Sequence, residues 1–454
     1  MTHDNAQPGI VWPAVSAPRG SALPALVEQF DSTQWWSAQA IQDAQLRQLA
    51  ALLRHAYATV AFYRDRFDAI GYRPGARISL EELRALPLLT RQDVQNAGAA
   101  LHTRNLPAQF GLTSETSTSG STGEPVRLRA TEIDQLFWQA FTVRDHLWHR
   151  RDVGRKLASI RVFPHGRCEP PHGLLADNWG PPASSVWTTG PMALLTLNTD
   201  VPAQARWLLE QDPAYLLTYP SNLDALIDEF VRRGDRLPSL REVRTVGEIV
   251  SPRLRDRCQR EWGVPIVDMY SSQELGYIAL QCPAASAYHV MAESVLVEVL
   301  DAEGHACAPG EVGRLVITRL HNFATPLIRY ELNDYAEAGA PCSCGRGLPT
   351  LSRIIGRTRN MLTLPGGERR WPLVGFDRYR DIAPVRQYQF VQYALDALEV
   401  RLVVERAVTG DEERQLAAVI RDALGYPFEL KFSYFREPLA RTAGGKFEEF
   451  ISAL

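Results

Sequence analysis

The stretch Thr116-Ser117-Thr118-Ser119-Gly120-Ser121-Thr122-Gly123-Glu124-Pro125 sets hydroxyls beside glycines with almost no apolar surface. Such a segment has nothing to bury in a core. It can turn tightly at Gly120 and Gly123, expose backbone N–H groups, and add the hydroxyls of Thr118, Ser119, Ser121 and Thr122 around an anion. A phosphate fits that chemistry, and an ordinary Ser/Gly/Thr surface loop fits the composition equally well. The stretch lacks the Gly-Lys-Ser/Thr ending of phosphate-loop NTPases, so that reading does not apply.

Other residues could complete a nucleotide site. Tyr270-Ser271-Ser272-Gln273-Glu274 offers a ring, small polar groups and a carboxylate. A hard cation wants such an oxygen ligand. Gly247-Glu248 follows the apolar run at Val243, and a glycine there lets backbone approach a flat base. Asp334 closes Ile328-Arg329-Tyr330-Glu331-Leu332-Asn333-Asp334, and one carboxylate can accept two hydrogen bonds at once. Arg441-Thr442-Ala443-Gly444-Gly445-Lys446 carries a lysine after a glycine-rich turn, a compact mobile charge suited to a transferring phosphoryl group. Taken singly, each is also read as a capped turn, a strand-to-helix turn or a solvated loop.

Together, these motifs resemble adenylate-forming enzymes in the form seen in phenylacetate–CoA ligases and their CapK-like relatives. The match runs in order over more than three hundred residues, from Thr118 to Lys446. The resemblance implies an AMP-forming ligase that uses ATP and Mg²⁺ to adenylate a carboxylic acid and passes the acyl group to coenzyme A. It makes Thr118, Ser119, Gly120, Ser121, Thr122 and Gly123 the phosphate loop, with Thr122 also catalytic. Gly247 and Glu248 would lie at the adenine. Tyr270 would stack on it, with Ser271, Ser272 and Gln273 lining the nucleotide. Glu274 would hold Mg²⁺, Asp334 the ribose hydroxyls, and Arg357 the ribose or phosphate. Lys446 would bridge the attacking carboxylate and the α-phosphate. In the family the small domain rotates between half-reactions, exchanging this lysine for a thiol tunnel whose wall would fall near Gly366-Gly367-Glu368-Arg369-Arg370-Trp371-Pro372. The acid pocket would take walls from Trp138, Phe141, Tyr219 and Pro220, aromatic enough to suggest an aryl or apolar acid. Other acceptors (an amine, a carrier-protein thiol, a hydroxyl) and an inactive nucleotide-binding relative stay open. The family usually has Lys where this chain has Glu124, and Asp or Lys where it has Arg359. A carboxylate among phosphates repels by about 4 kcal/mol per charge pair at about 4 Å and an effective dielectric of about 20. Glu124 must therefore point away, pair with Arg127 or Arg129, or bind metal.

Cys282, His289, Cys342 and Cys344 form a second set. Three thiols and one imidazole are the closed shell of structural zinc. Some relatives look the same here and hold zinc; unligated thiols and a surface histidine are the alternative. Cys168, Cys258 and Cys307 read as small buried apolar residues.

Elements must position these groups. The region 41–67 reads as a helix from the spacing of Leu46, Leu49, Leu52, Leu53, Ala56 and Val60. Ser79 starts a short capped helix. After a strand at 125–129 and a helix at 132–148, strands and helices alternate: strands at 156–163, 215–219, 243–246 and 265–269, helices at 221–233 and 251–262. Alternation of this kind implies a mainly parallel sheet flanked by helices, with ligands at the carboxyl ends of strands. Strands at 294–300, 312–319 and 327–329 make a β-rich part. Past Arg357 the pattern is strand, strand, helix, strand at 388–393, 398–404, 412–424 and 429–434. The fold class is therefore α/β. A loose arm is expected over 1–22, a large domain with a mainly parallel sheet and a β-rich subdomain over 23–357, and a small mobile α+β domain over 358–454.

Composition sets the outer bounds. The chain has 454 residues, enough for two or three cores, and its formal charge of −3 gives no basic footprint for nucleic acid. No apolar run is long enough to span a membrane and the first residues lack a signal-peptide pattern, so neither a membrane nor export is expected. Six cysteines in so long a chain point to the cytoplasm rather than to a disulfide scaffold. The expected partners are a small carboxylic acid, ATP and CoA, with a homodimer left open.

Overall fold

The computed structural model describes residues 10–15, 22–118, 126–357, 361–370, 377–442 and 445–454. Its contacts divide the chain into two compact units, Met1–Ile355 and Gly356–Leu454.

A 12-stranded sheet runs through the larger unit. Its centre is five parallel strands in spatial order Met192–Thr196, Leu157–Arg161, Tyr215–Thr218, Glu242–Val246 and Ile266–Ser272. Beyond Ile266–Ser272 the sheet turns antiparallel through Gly276–Gln281 and Tyr288–Val290. It continues through Thr350–Arg357, Tyr330–Ala338, Val312–Arg319 and Val295–Leu300. Alternation along the strand Leu157–Arg161 sorts its side chains between two faces. Ala158 and Ile160 pack in one core with residues of the helices Val201–Gln211, Pro220–Arg233 and Pro252–Trp262. The other main core joins the helices Ala22–Thr33, Ala38–Thr59, Ala61–Ala69 and Glu132–Trp148 to the antiparallel strands.

The expected helix over 41–67 is two helices. Val60 takes an extended conformation (φ −113°, ψ 112°) that closes one and opens the next. Its side chain is fully buried, so the apolar spacing runs through the break without revealing it. The strand expected over 327–329 is also corrected. Arg329 has φ +50° and turns a buried guanidinium onto Glu298, Leu86 and Arg84, and the strand starts at Tyr330. Residues 10–15, expected within a loose arm, are held in the core. Ile10, Trp12 and Val15 are buried, the Val11 N–H donates to Gln48 Oε1 at 2.6 Å, and His321 Nε2 lies 3.0 Å from the Trp12 carbonyl. The capped helix at Ser79 is present as Leu80–Ala85 with a reciprocal Ser79–Glu82 capping box.

The smaller unit is a four-stranded sheet in the order Glu429–Phe435, Ala397–Val404, Val385–Ala394 and Phe450–Ser452. The helix Gly410–Leu424 closes its core through Leu416, Ile420 and Leu424.

Candidate active site

The hydroxyl-rich stretch enters on an antiparallel hairpin, Thr113–Thr118 paired with Val126–Thr131. Ser119, Gly120, Ser121, Thr122, Gly123 and Glu124 lie outside the described residues, as does the side chain of Thr118. The second strand of the hairpin, after them, is anchored. The Arg129 N–H donates to Thr325 Oγ1 at 3.0 Å, and Asn322 Nδ2 donates to the Arg129 carbonyl at 3.0 Å. Thr131 then caps the helix Glu132–Trp148 in a capping box with Asp134. Asp134 also takes Arg319 at 3.0 Å, while the same guanidinium donates to the carbonyl of Glu274 at 2.8 Å. One arginine thus ties the root of the hydroxyl-rich loop to the expected metal carboxylate.

Gly247, Glu248 and the segment Tyr270–Glu274 lie at the carboxyl ends of parallel strands. Val246 pairs with Met269, so Gly247 and Tyr270 leave adjacent strands side by side. Gly247 has φ +83°, a conformation glycine adopts without a Cβ penalty. Glu248 turns back to the helix Pro220–Arg233, accepting from the Ser221 N–H at 2.8 Å and the Ser221 hydroxyl at 3.0 Å. A carboxylate there satisfies a helix N-terminus and fixes the turn that carries Tyr219 and Pro220. The Tyr270 hydroxyl donates to Asp334 Oδ2 at 2.7 Å. Two residues that the sequence separates by 64 positions are therefore joined. Ser271 is half-buried and Gln273 exposed; the Ser272 hydroxyl accepts from the Leu275 N–H at 3.1 Å. The Glu274 carboxylate faces Arg91 at 3.5 Å, a partner that the sequence reading missed. Tyr330 lies beside them. Burial first, then the negative charge of Glu274, push its hydroxyl up to about 12.

The expected acid walls separate. Trp138 is 42% exposed and packs on Tyr277 with ring centroids 4.3 Å apart. Phe141 is 1% exposed and stacks on Phe30, so it belongs to the core. Tyr219 and Pro220 are buried at the start of their helix. Tyr277, absent from the sequence expectation, sits on the strand after Glu274, where its hydroxyl meets Thr142 at 3.2 Å.

In the smaller unit, Lys446 follows a closed turn. The Thr442 N–H donates to the Lys446 carbonyl at 2.9 Å, the Lys446 N–H donates to Thr442 Oγ1 at 3.1 Å, and Gly445 has φ +78°. Arg357 ends the strand Thr350–Arg357, and its side chain is outside the described part.

The second set of residues converges. The ligand atoms of Cys282, His289, Cys342 and Cys344 all lie within 4.8 Å of one another. Cys282 Sγ and Cys342 Sγ are 3.8 Å apart, and Cys344 Sγ is 3.3 Å from His289 Nε2. A disulfide needs sulfurs at about 2.05 Å. A tetrahedral zinc with bonds of about 2.3 Å holds its sulfurs at about 3.8 Å. Burial pushes His289 down to about 4, which keeps the imidazole neutral and able to donate a lone pair. Burial pushes Cys282 up to about 11. At Cys344 burial acts in the same direction, but the Arg346 backbone and its neighbours outweigh it and the thiol is lowered. Gly345, with φ +85°, closes the turn behind Cys344 through its N–H to the Cys342 carbonyl at 3.2 Å. The donor set fits zinc.

No family model matches the chain. The phenylacetate–coenzyme A ligase of Escherichia coli (strain K12) is 27% identical over 346 residues, 74% of this chain and 76% of that protein. The Pseudomonas putida enzyme of the same name is 25% identical over 349 residues, 74% of this chain and 75% of its own length. A solved 2-hydroxyisobutyryl-CoA ligase in the postadenylation state superposes with a TM-score of 0.74 at 19% identity, covering 93% of this chain and 91% of that one. In sequence the chain is similar to the phenylacetate–coenzyme A ligases, and it shares the fold of the 2-hydroxyisobutyryl-CoA ligase.

Proposed function

We propose that the chain is an AMP-forming acid–thiol ligase. It adenylates a carboxylic acid with ATP and passes the acyl group to coenzyme A. The observation that carries this reading is the joining of Tyr270, near the end of its strand, to Asp334, on the strand Tyr330–Ala338, with Gly247 following the strand next to Tyr270's. A ring with its hydroxyl on a carboxylate sets a stacking face next to a diol acceptor, which is what an adenosine presents.

A carboxylate is a poor electrophile. Its oxygen attacks the α-phosphorus, the bond to the bridging oxygen breaks, and pyrophosphate leaves as the acyl adenylate forms. The thiol sulfur then forms its bond to the acyl carbon, and AMP leaves with the bonding pair. The protein mainly positions reactants and neutralises charge. In this reading residues 118–123 hold the phosphates through backbone N–H groups and hydroxyls. Asp334 takes the ribose hydroxyls and Tyr270 the adenine face. Lys446 stabilises charge during adenylation, and Arg357 contacts ribose or phosphate. Glu274 is the carboxylate that would hold Mg²⁺, and the cation supplies charge neutralisation at the phosphates. Arg91 at 3.5 Å is a loose enough partner for Glu274 to exchange. The cysteine–histidine cluster would hold a structural zinc, since all four positions are filled by protein. A cytoplasmic place follows from its substrates and reduced thiols.

Coenzyme A supplied with ATP and a panel of acids tests the acceptor. Release of AMP should require the thiol, and mass spectrometry should find the matching thioester. AMP release with an amine or with water but not with coenzyme A would refute thiol transfer.

A further inference from the structure

The face of the parallel sheet that meets the helix Glu132–Trp148 carries a buried charge cluster. Asp145 on that helix accepts from Arg151 Nη1 at 2.6 Å and Arg244 Nη2 at 2.7 Å, and Arg151 Nε donates to Glu242 Oε1 at 2.7 Å. These two carboxylates and two guanidinium groups neutralise each other. In the sheet register Ser159, Leu217 and Arg244 stand in one row. Arg161 lies one step further on the same face, at the last position of its strand and toward the carboxyl ends.

Arg161 has no carboxylate partner among the described residues. Its Nε donates to Ser159 Oγ at 3.1 Å and its guanidinium lies 5.8 Å from the Phe163 ring centroid. No acceptor among the described residues takes either terminal nitrogen. Tyr219 and Tyr277 lie near it, and the charge of Arg244 opposes it. Burial and that repulsion disfavour the cation. Every other cation of this cluster is paired. A partly buried guanidinium left this way is costly unless an anion arrives, and a planar anion can take both terminal nitrogens at once.

We propose that Arg161 recognises a second anionic group on the acid substrate. The acid is then an aromatic or extended molecule bearing one carboxylate to be adenylated and a second at its far end. Tyr219, Tyr277 and Trp138 supply the flat apolar surface between the two ends. This rests on the ligase reading and names the substrate class for the same site.

The test is acid-dependent ATP–pyrophosphate exchange with matched pairs, an aryl monoacid and the same scaffold carrying a distal carboxylate. The wild-type chain should favour the diacid by at least tenfold in kcat/KM. Arg161→Met should erase or reverse that ratio mainly through the KM of the diacid, and Arg161→Lys should restore part of it. A wild-type preference for the monoacid overturns the proposal whether or not the variants fold. An equal loss for both members of each pair in Arg161→Met also overturns it, because the guanidinium would then serve the reacting carboxylate or the fold. Exchange with neither member of any pair, nor with any other acid, would overturn the ligase reading itself, a distinguishable result.

Discussion

Lys446 stands at the end of a turn closed by two hydrogen bonds to Thr442, so its backbone is set while a long side chain keeps its reach. In the proposed role its charge would act where negative charge develops on the phosphoryl group, with no such task once the adenylate exists. Lys446→Ala should therefore slow adenylation by at least about tenfold and leave thioester formation from preformed acyl-AMP largely intact. Single-turnover measurement of each half-reaction checks this, and equal damage to both would remove the assigned role. The sequence singles out individual residues where chemistry and order coincide. Tyr270, Glu274 and Asp334 each follow a run with a recognisable ending, and Tyr270 and Asp334 meet at 2.7 Å. Arg91, Arg161 and Tyr277 were not singled out, because an arginine or tyrosine in a strand or helix has many ordinary uses. The rule that ligands gather at strand ends would have singled out Arg161, the last residue of its strand.

Among the elements, the helix Glu132–Trp148 has two anchors. Its first turn is tied through Asp134 and Arg319 to Glu274. Near its end Arg144 grips the fully buried Glu293 at 2.6 and 3.0 Å, donates to the Phe30 carbonyl and covers the Phe30 ring. Removing one partner leaves the other charge buried, a cost of about 3–5 kcal/mol. Arg144→Met should lower the stability of the larger unit by about that much, read by denaturant unfolding. A change under about 1 kcal/mol would mean that water or a shifted partner reaches Glu293. The cysteine–histidine cluster, if it holds zinc, would be the other brace, tying the segment after Gly276–Gln281 to the turn at Cys342. Purified protein should carry about one zinc per chain, and its removal by a chelator should lower the melting temperature. Metal-free protein of full stability would end that reading. Helix and strand alternation was legible because Pro, Gly and Ser mark the turns: Pro220, Ser251 and Pro252 start helices, and Gly234 and Gly263 end them with φ near +70°. The break at Val60 was not, since a buried apolar residue keeps the helical spacing while its backbone leaves the helix.

For the whole molecule, the sequence changes pattern near Arg357, and the contacts divide the chain between Ile355 and Gly356. The sequence carries less of the sheet: the pairing of parallel and antiparallel halves into 12 strands depends on contacts between distant residues that no local pattern announces. Glu124, where the ligases that the chain resembles usually have Lys, lies outside the described residues. The central claim is that this molecule joins an acid to AMP. Acid-dependent exchange of labelled pyrophosphate into ATP, across a library of mono- and diacids, measures that step without regard to the acceptor. Exchange with at least one acid is expected, and it should be abolished in Asp334→Ala. Saturating ATP and magnesium with no exchange for any acid, or exchange that survives in Asp334→Ala undiminished, would contradict it.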